Sequence, residues 1–154
     1  MLRTSAARLL LPGLAALLIL PLAAACGGDD SNDAHAGDTA AVLAAVTFLD
    51  GAGYHAIDDA INKDRTVPAT ARATALKGQA VVRATSWPAE LKPKADALAG
   101  ILGELAAALE GDSPDLAKAG AAAKKAHDAQ HEFSDAAWGW LYEKAGVKGP
   151  AHAH

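Results

Sequence analysis

"LKPKADALAGILGELAAALE", residues 91–110, decides the fold. Leu91, Ala95, Leu98, Leu102, Leu105 and Leu109 recur at spacings of 4, 3, 4, 3 and 4, the period of one helix face. The helix starts at about Ala89 or Pro93, because proline is comfortable only in a first turn, and runs to Glu110. One such seam is not a fold. It needs other apolar faces to close on it.

Three further segments supply those faces. A helix over about Thr39–Lys63 has the stripe Leu43, Val46, Asp50, Tyr54, Ile57 and Ile61, flanked by Val42 and Leu49. Gly51 and Gly53 weaken its middle by about 1 kcal/mol each relative to alanine. A helix over about Pro68–Ser86 has the weaker stripe Ala69, Ala73, Leu76, Ala80 and Trp87, bordered by Arg72 and Arg83, whose stems can cover apolar surface. The last, over about Pro114–Ala145, opens on Ser113 as cap, Pro114 in the first turn and Asp115 at the positive helix end, and stops at Gly146. Four amphipathic helices with short connections predict an all-α, antiparallel up-down four-helix bundle over residues 39–146. The composition agrees, at 51% hydrophobic, 5% aromatic and rich in alanine. A formal charge of −4 gives no reason to expect a nucleic-acid partner.

The first 25 residues read as a signal peptide. Arg3 and Arg8 precede the apolar run Leu9–Leu22, and Ala23–Ala25 supply small residues for cleavage. The run is too short for a comfortable membrane span. The sole cysteine follows in "LAAACGGDD", and this stretch resembles the lipobox of bacterial lipoproteins. The resemblance implies that Cys26 is lipidated and becomes the first mature residue. It also implies a membrane anchor through the N-terminal lipid, on the extracytoplasmic side of the cell envelope. Ala23 stands where that family usually carries leucine. Residues 26–38 read as lipidated cysteine and flexible tether, and residues 147–154 as a disordered tail. Beyond Ala25 the chain holds 12 basic and 18 acidic residues, a charge of −6. A lipidated Cys26 leaves no disulfide.

Polar residues interrupt the core faces. With Leu116 at zero and 100° per residue, Gly120, Ala123, Ala137, Trp138 and Leu141 fall within about 60° of it, and so do His127, Gln130, His131 and Ser134. Asp50 lies within about 20° of its own stripe centre, with Tyr54 one turn on. Counting inward from the helix ends of an antiparallel pair puts Asp50 near Ser134 and Tyr54 near Gln130.

Three readings follow. In the first, Asp50, His127 and His131 hold a divalent metal such as zinc or copper, with Tyr54, Gln130 and Ser134 in support. Histidines at i and i+4 share a helix face about 6 Å apart. In the second, the same groups satisfy one another and serve a structural or protein-interaction bundle with no ligand. In the third, a cofactor sits between helices. "LAKAGAAAKKAHDAQHEF", Leu116–Phe133, is similar to the last helix of the cytochrome b562 and cytochrome c′ group, whose members are four-helix bundles. That resemblance implies haem with His131 as iron ligand. The chain lacks a CxxCH, its only methionine is Met1, and His55 projects about 160° from Ile57, on the outer side.

Ser134, His131 and Asp50 carry the letters of a catalytic triad, but no strained nucleophile turn or oxyanion hole accompanies them, so no enzyme is expected. Trp87, Trp138, Trp140 and Tyr142 are expected to close one end of the core, with Trp140 turned outward. His35 and the terminal "HAH" are loose chelators at most.

Overall fold

Alanine-rich, proline-punctuated segments give five helices in the computed structural model, which describes residues 30–149. Residues 1–29, which hold the expected signal peptide and Cys26, and residues 150–154 lie outside the described residues. The helices are α1 (Asp30–Asp50), α2 (Tyr54–Asn62), α3 (Ala71–Ala84), α4 (Lys92–Ala108) and α5 (Leu116–Lys144). No strand occurs among the described residues, and the fold is all-α.

The expected first helix is thus two. Amides from Gly51 and Ala52 still reach back to Thr47 and Leu49, at 3.2 Å each, but Gly53 then adopts φ +80°, which an L side chain resists. Ile57 N–H bonds to the Gly53 carbonyl at 3.1 Å and α2 begins anew. At its other end α1 reaches Asp30, into the stretch expected to be tether. No proline stands there to stop it, and Gly37 costs only about 1 kcal/mol.

The other termini follow local chemistry. Pro93 sits in the first turn of α4. At α5 the cap is Asp115, two residues later than the expected Ser113. Its extended backbone lets the carboxylate accept from Ala117 N at 2.9 Å and Lys118 N at 3.1 Å. Those amides hold the Asp115 carboxyl below the usual range. Gly146, at φ +66°, ends α5 in a Schellman arrangement: Val147 N bonds to Tyr142 O and Gly146 N to Glu143 O, both at 3.0 Å.

α3 packs on α4, α4 on α5, and α5 on both α1 and α2, with α1 also meeting α3. The result is a bundle-like closure around one core. All six residues of the α4 seam are buried. From the first two helices come Val42, Val46, Leu49, Tyr54, Ile57 and Ile61. Asp38–Asn62 is long and apolar enough to cross a membrane by length and composition, with 33% of that window buried in the fold.

Three faces are rotated from expectation. Leu43 and Leu76 point outward, 44% and 40% exposed. α3 buries Ala71, Ala75, Gly78 and Val82 instead of the Leu76 stripe. Small residues let α3 come close to its neighbours. Gly78 admits the Tyr54 hydroxyl, and Gly103 of α4 admits Gln79, whose amide donates to the Ala99 carbonyl at 2.9 Å. On α5 the buried line includes Ala119, Ala123, Ala126, Gln130, Phe133 and Ala137, which leaves both histidines at its edge. Trp140 is partly buried rather than exposed, under Lys144. Trp87 meets Phe133 edge-on and donates to the Val82 carbonyl at 2.7 Å.

Candidate functional site

One flank of α5 carries Gly120, His127, His131, Ser134 and Trp138, at spacings of 7, 4, 3 and 4. This row meets α1 and α2, and it divides into two polar groups of different character.

The first group is closed. Asp50, the last residue of α1, accepts from Gln130 Nε2 at 2.9 Å, from Ser134 Oγ and from Trp138 Nε1 at 2.8 Å. Gln130 Nε2 also donates to Ser134 Oγ at 2.9 Å. Gln130 and Ser134 are each only 7% exposed, so the carboxylate offsets the cost of burying their polar atoms. Asp50 and Ser134 meet at the depth that the helix register predicts. The Ser134 hydroxyl is turned to a carboxylate, with no imidazole between them.

The second group gathers three imidazoles around His127. His127 Nδ1 lies 3.1 Å from Asp58 Oδ2, with both side chains 15% exposed. Its Nε2 lies 3.2 Å from His55 Nδ1 and 2.9 Å from His131 Nε2. The rings pack edge to face, with centroids 4.8 and 4.7 Å apart. Asn62 fixes the far side of Asp58, donating to its Oδ1 at 2.6 Å and to the Gly120 carbonyl at 2.9 Å. His55 Nε2 lies 3.5 Å from Asp59. The hydrogen-bonded Lys63 ammonium, 2.8 Å away, holds the Asp59 carboxyl below its usual range, so it faces His55 as an anion.

Proton counting shows what is unusual. A carboxylate only accepts, so the contact with Asp58 puts a proton on His127 Nδ1, and in the neutral ring Nε2 then holds the lone pair. Two ring nitrogens then approach one in-plane lone pair, which can accept one hydrogen well. A cation bound by all three nitrogens would remove the conflict. Zinc–nitrogen bonds of about 2.0–2.1 Å in a tetrahedron place nitrogens about 3.3 Å apart, close to the spacings seen. The Asp58–His127 pair has the form of the carboxylate–histidine contact that orients a metal ligand. In the structure the rings touch pairwise, and among the described residues no three His, Cys, Asp or Glu side chains surround a common point at ligand distance. His55 and His131 are both exposed, and exposed side chains change rotamer in picoseconds to nanoseconds.

A cleft of about 310 Å³ runs beside these groups, lined by Asp50, Gly53, Tyr54, His55, Gln130, His131, Ser134, Asp135 and Trp138. Its lining has two carboxylates and two imidazoles, and no lysine or arginine.

The expected ligand set Asp50, His127 and His131 therefore separates. The two histidines stay together; Asp50 shares the cleft with His131, but its oxygens are committed to three donors of α5. Tyr54, the first expected supporting group, lines the cleft, and its hydroxyl is buried over Gly78 with no hydrogen-bond partner among the described residues. Burial pushes that phenol up to about 12. His55, Asp58 and Asn62 were missed because an apolar stripe points at the bundle axis, whereas neighbours touch along the flanks. Their spacing of i, i+3 and i+7 was the available signal. Comparison with known proteins finds no matching family model, no matching curated protein and no matching solved structure.

Proposed function

We propose that this chain is a lipid-anchored, extracytoplasmic protein whose antiparallel four-helix bundle binds a divalent transition metal through His55, His127 and His131. Asp58 orients His127. One observation carries the metal reading: His127 Nε2 contacts two other imidazole nitrogens while Nδ1 is tied to a carboxylate. The lipobox-like segment supports the anchor, and the short connections support the up-down order. The absence of methionine and cysteine beyond Cys26 favours imidazole-binding Zn²⁺ or Cu²⁺ over thiolate- or thioether-bound ions.

The ligand-free structural reading has an observation of its own, the closed Asp50–Gln130–Ser134–Trp138 network. It accounts for that half of the polar row and leaves the three histidines unexplained. Haem at His131 has weaker support, because Asp50, Ser134 and Asp135 make polar walls where a porphyrin face needs apolar contact.

Calorimetric titration of the untagged protein with ZnCl₂ or CuSO₄ tests the proposal. One ion should bind per chain. His127→Ala should lower affinity at least tenfold, and Asp58→Asn about 10–100-fold. His55→Ala should weaken binding where Asp50→Asn does not. The reverse pattern would restore the Asp50 ligand set, and no binding by the wild type would leave the structural reading.

A further inference from the structure

We infer that the His55–His127–His131 centre is an exchange site that carries a divalent copper or zinc ion as cargo, rather than a structural metal. The inference rests on the metal-binding reading above and adds what the ion is for.

Three features separate cargo from scaffold. Structural metal sites are closed by their ligands and often supply the folding energy themselves. Here the core closes without a metal. Ile57 and Ile61 seat α2, and Asn62 ties it to the Gly120 carbonyl of α5. Only His127 is held firmly, by Asp58. His55 is 68% exposed and His131 is exposed, so two of three ligands can leave and return without disturbing the core. The third feature is the cleft. Its volume of about 310 Å³ leaves room for a partly hydrated ion or a small donor chelate. Asp50 and Asp135 give it carboxylates, and neither lysine nor arginine lines it.

Ligand chemistry sets the cargo. Three imidazoles without thiolate or thioether suit divalent ions, and Cu²⁺ binds such a set more tightly than Zn²⁺. Cu⁺ would prefer sulfur.

The test uses the full-length untagged chain, solubilised in detergent, with His35, His152 and His154 replaced by alanine to remove tail chelation. With EDTA present, helicity and cooperative urea unfolding should persist. Adding CuSO₄ or ZnCl₂ should raise the thermal midpoint, and a chromophoric chelator in excess should withdraw the ion within minutes. Asp135→Asn should slow metal uptake about two- to fivefold at low salt and leave it nearly unchanged at high salt. Loss of helicity in EDTA, or retention of the ion for hours against excess chelator, would overturn the exchange role while leaving metal binding intact. Tighter binding of Cu⁺ than Cu²⁺ under reducing conditions would overturn the assigned cargo. No binding of either divalent ion would remove the underlying reading as well.

Discussion

Tyr54 and His127 are both polar groups on the inner side of their helices, and they solve burial differently. His127 gains a carboxylate at one nitrogen and two rings at the other. Tyr54 is 2% exposed and its hydroxyl gains nothing. Leaving a buried hydroxyl unpaired costs about 1–3 kcal/mol. Tyr54→Phe should therefore raise stability at neutral pH by about 1 kcal/mol, measured by urea denaturation. The pH dependence has a definite sign. The folded-state pKa is raised from 10.0 to about 12, so the native state keeps a proton that the unfolded state loses. The associated stability is fully present below pH 10 and is lost as pH rises toward 12. Wild type should lose up to about 2 kcal/mol relative to Tyr54→Phe across that interval. Parallel alkaline profiles for the two proteins would show that the phenol is hydrated.

At the scale of elements, glycines set how closely the helices approach. A Cβ at Gly78 would overlap the Tyr54 hydroxyl and crowd Leu102. A helix interior ordinarily favours alanine over glycine by about 1 kcal/mol, yet Gly78→Ala should destabilise by about 1–3 kcal/mol through overpacking. Combining it with Tyr54→Phe should recover part of the loss, because the hydroxyl is the nearest obstacle and the ring carbon behind it is 3.2 Å away. A double-mutant cycle on unfolding free energies reads that coupling; strict additivity would mean that the two residues do not touch. This contact also explains why the α3 face was illegible. On the buried face Ala71, Ala75 and Gly78 are small and give little hydrophobic signal beside Val82, so Leu76 drew the stripe to the wrong side. The α4 seam was legible because six large or well-spaced apolar residues had one face to share. The break after Asp50 was partly legible, since Gly51 and Gly53 marked a weak point, but only the +80° backbone angle at Gly53 separates α1 from α2.

At the scale of the whole molecule, the proposed anchor decides where the cleft faces. A negative chain held at a membrane by lipid would present the proposed metal site to the extracytoplasmic space. Cys26→Ser should move the protein from the membrane fraction to the soluble fraction, read by fractionation and by loss of metabolically incorporated palmitate. A membrane-bound serine variant would point instead to Asp38–Asn62 or to an uncleaved Leu9–Leu22 as the attachment. Surface ion pairs such as Lys125–Glu104 at 2.6 Å and Lys94–Glu132 join α4 to α5, but exposed pairs of this kind contribute about 0–1 kcal/mol each and do not hold the bundle.

The sequence by itself determined the helical class, the α4 seam, the Gly146 stop and the depth at which Asp50 meets Ser134. Each is written in local periodicity or in one residue's backbone preference. Only the tertiary structure decided which polar groups are partners. Asp50 went to Gln130, Ser134 and Trp138, and His55 and Asp58 joined His127 in its place. The physical reason is that periodicity locates the face buried toward the common core, whereas contacts between two particular helices lie along their flanks. Which flank meets which depends on a break of two or three residues and on the small side chains that set the helix spacing.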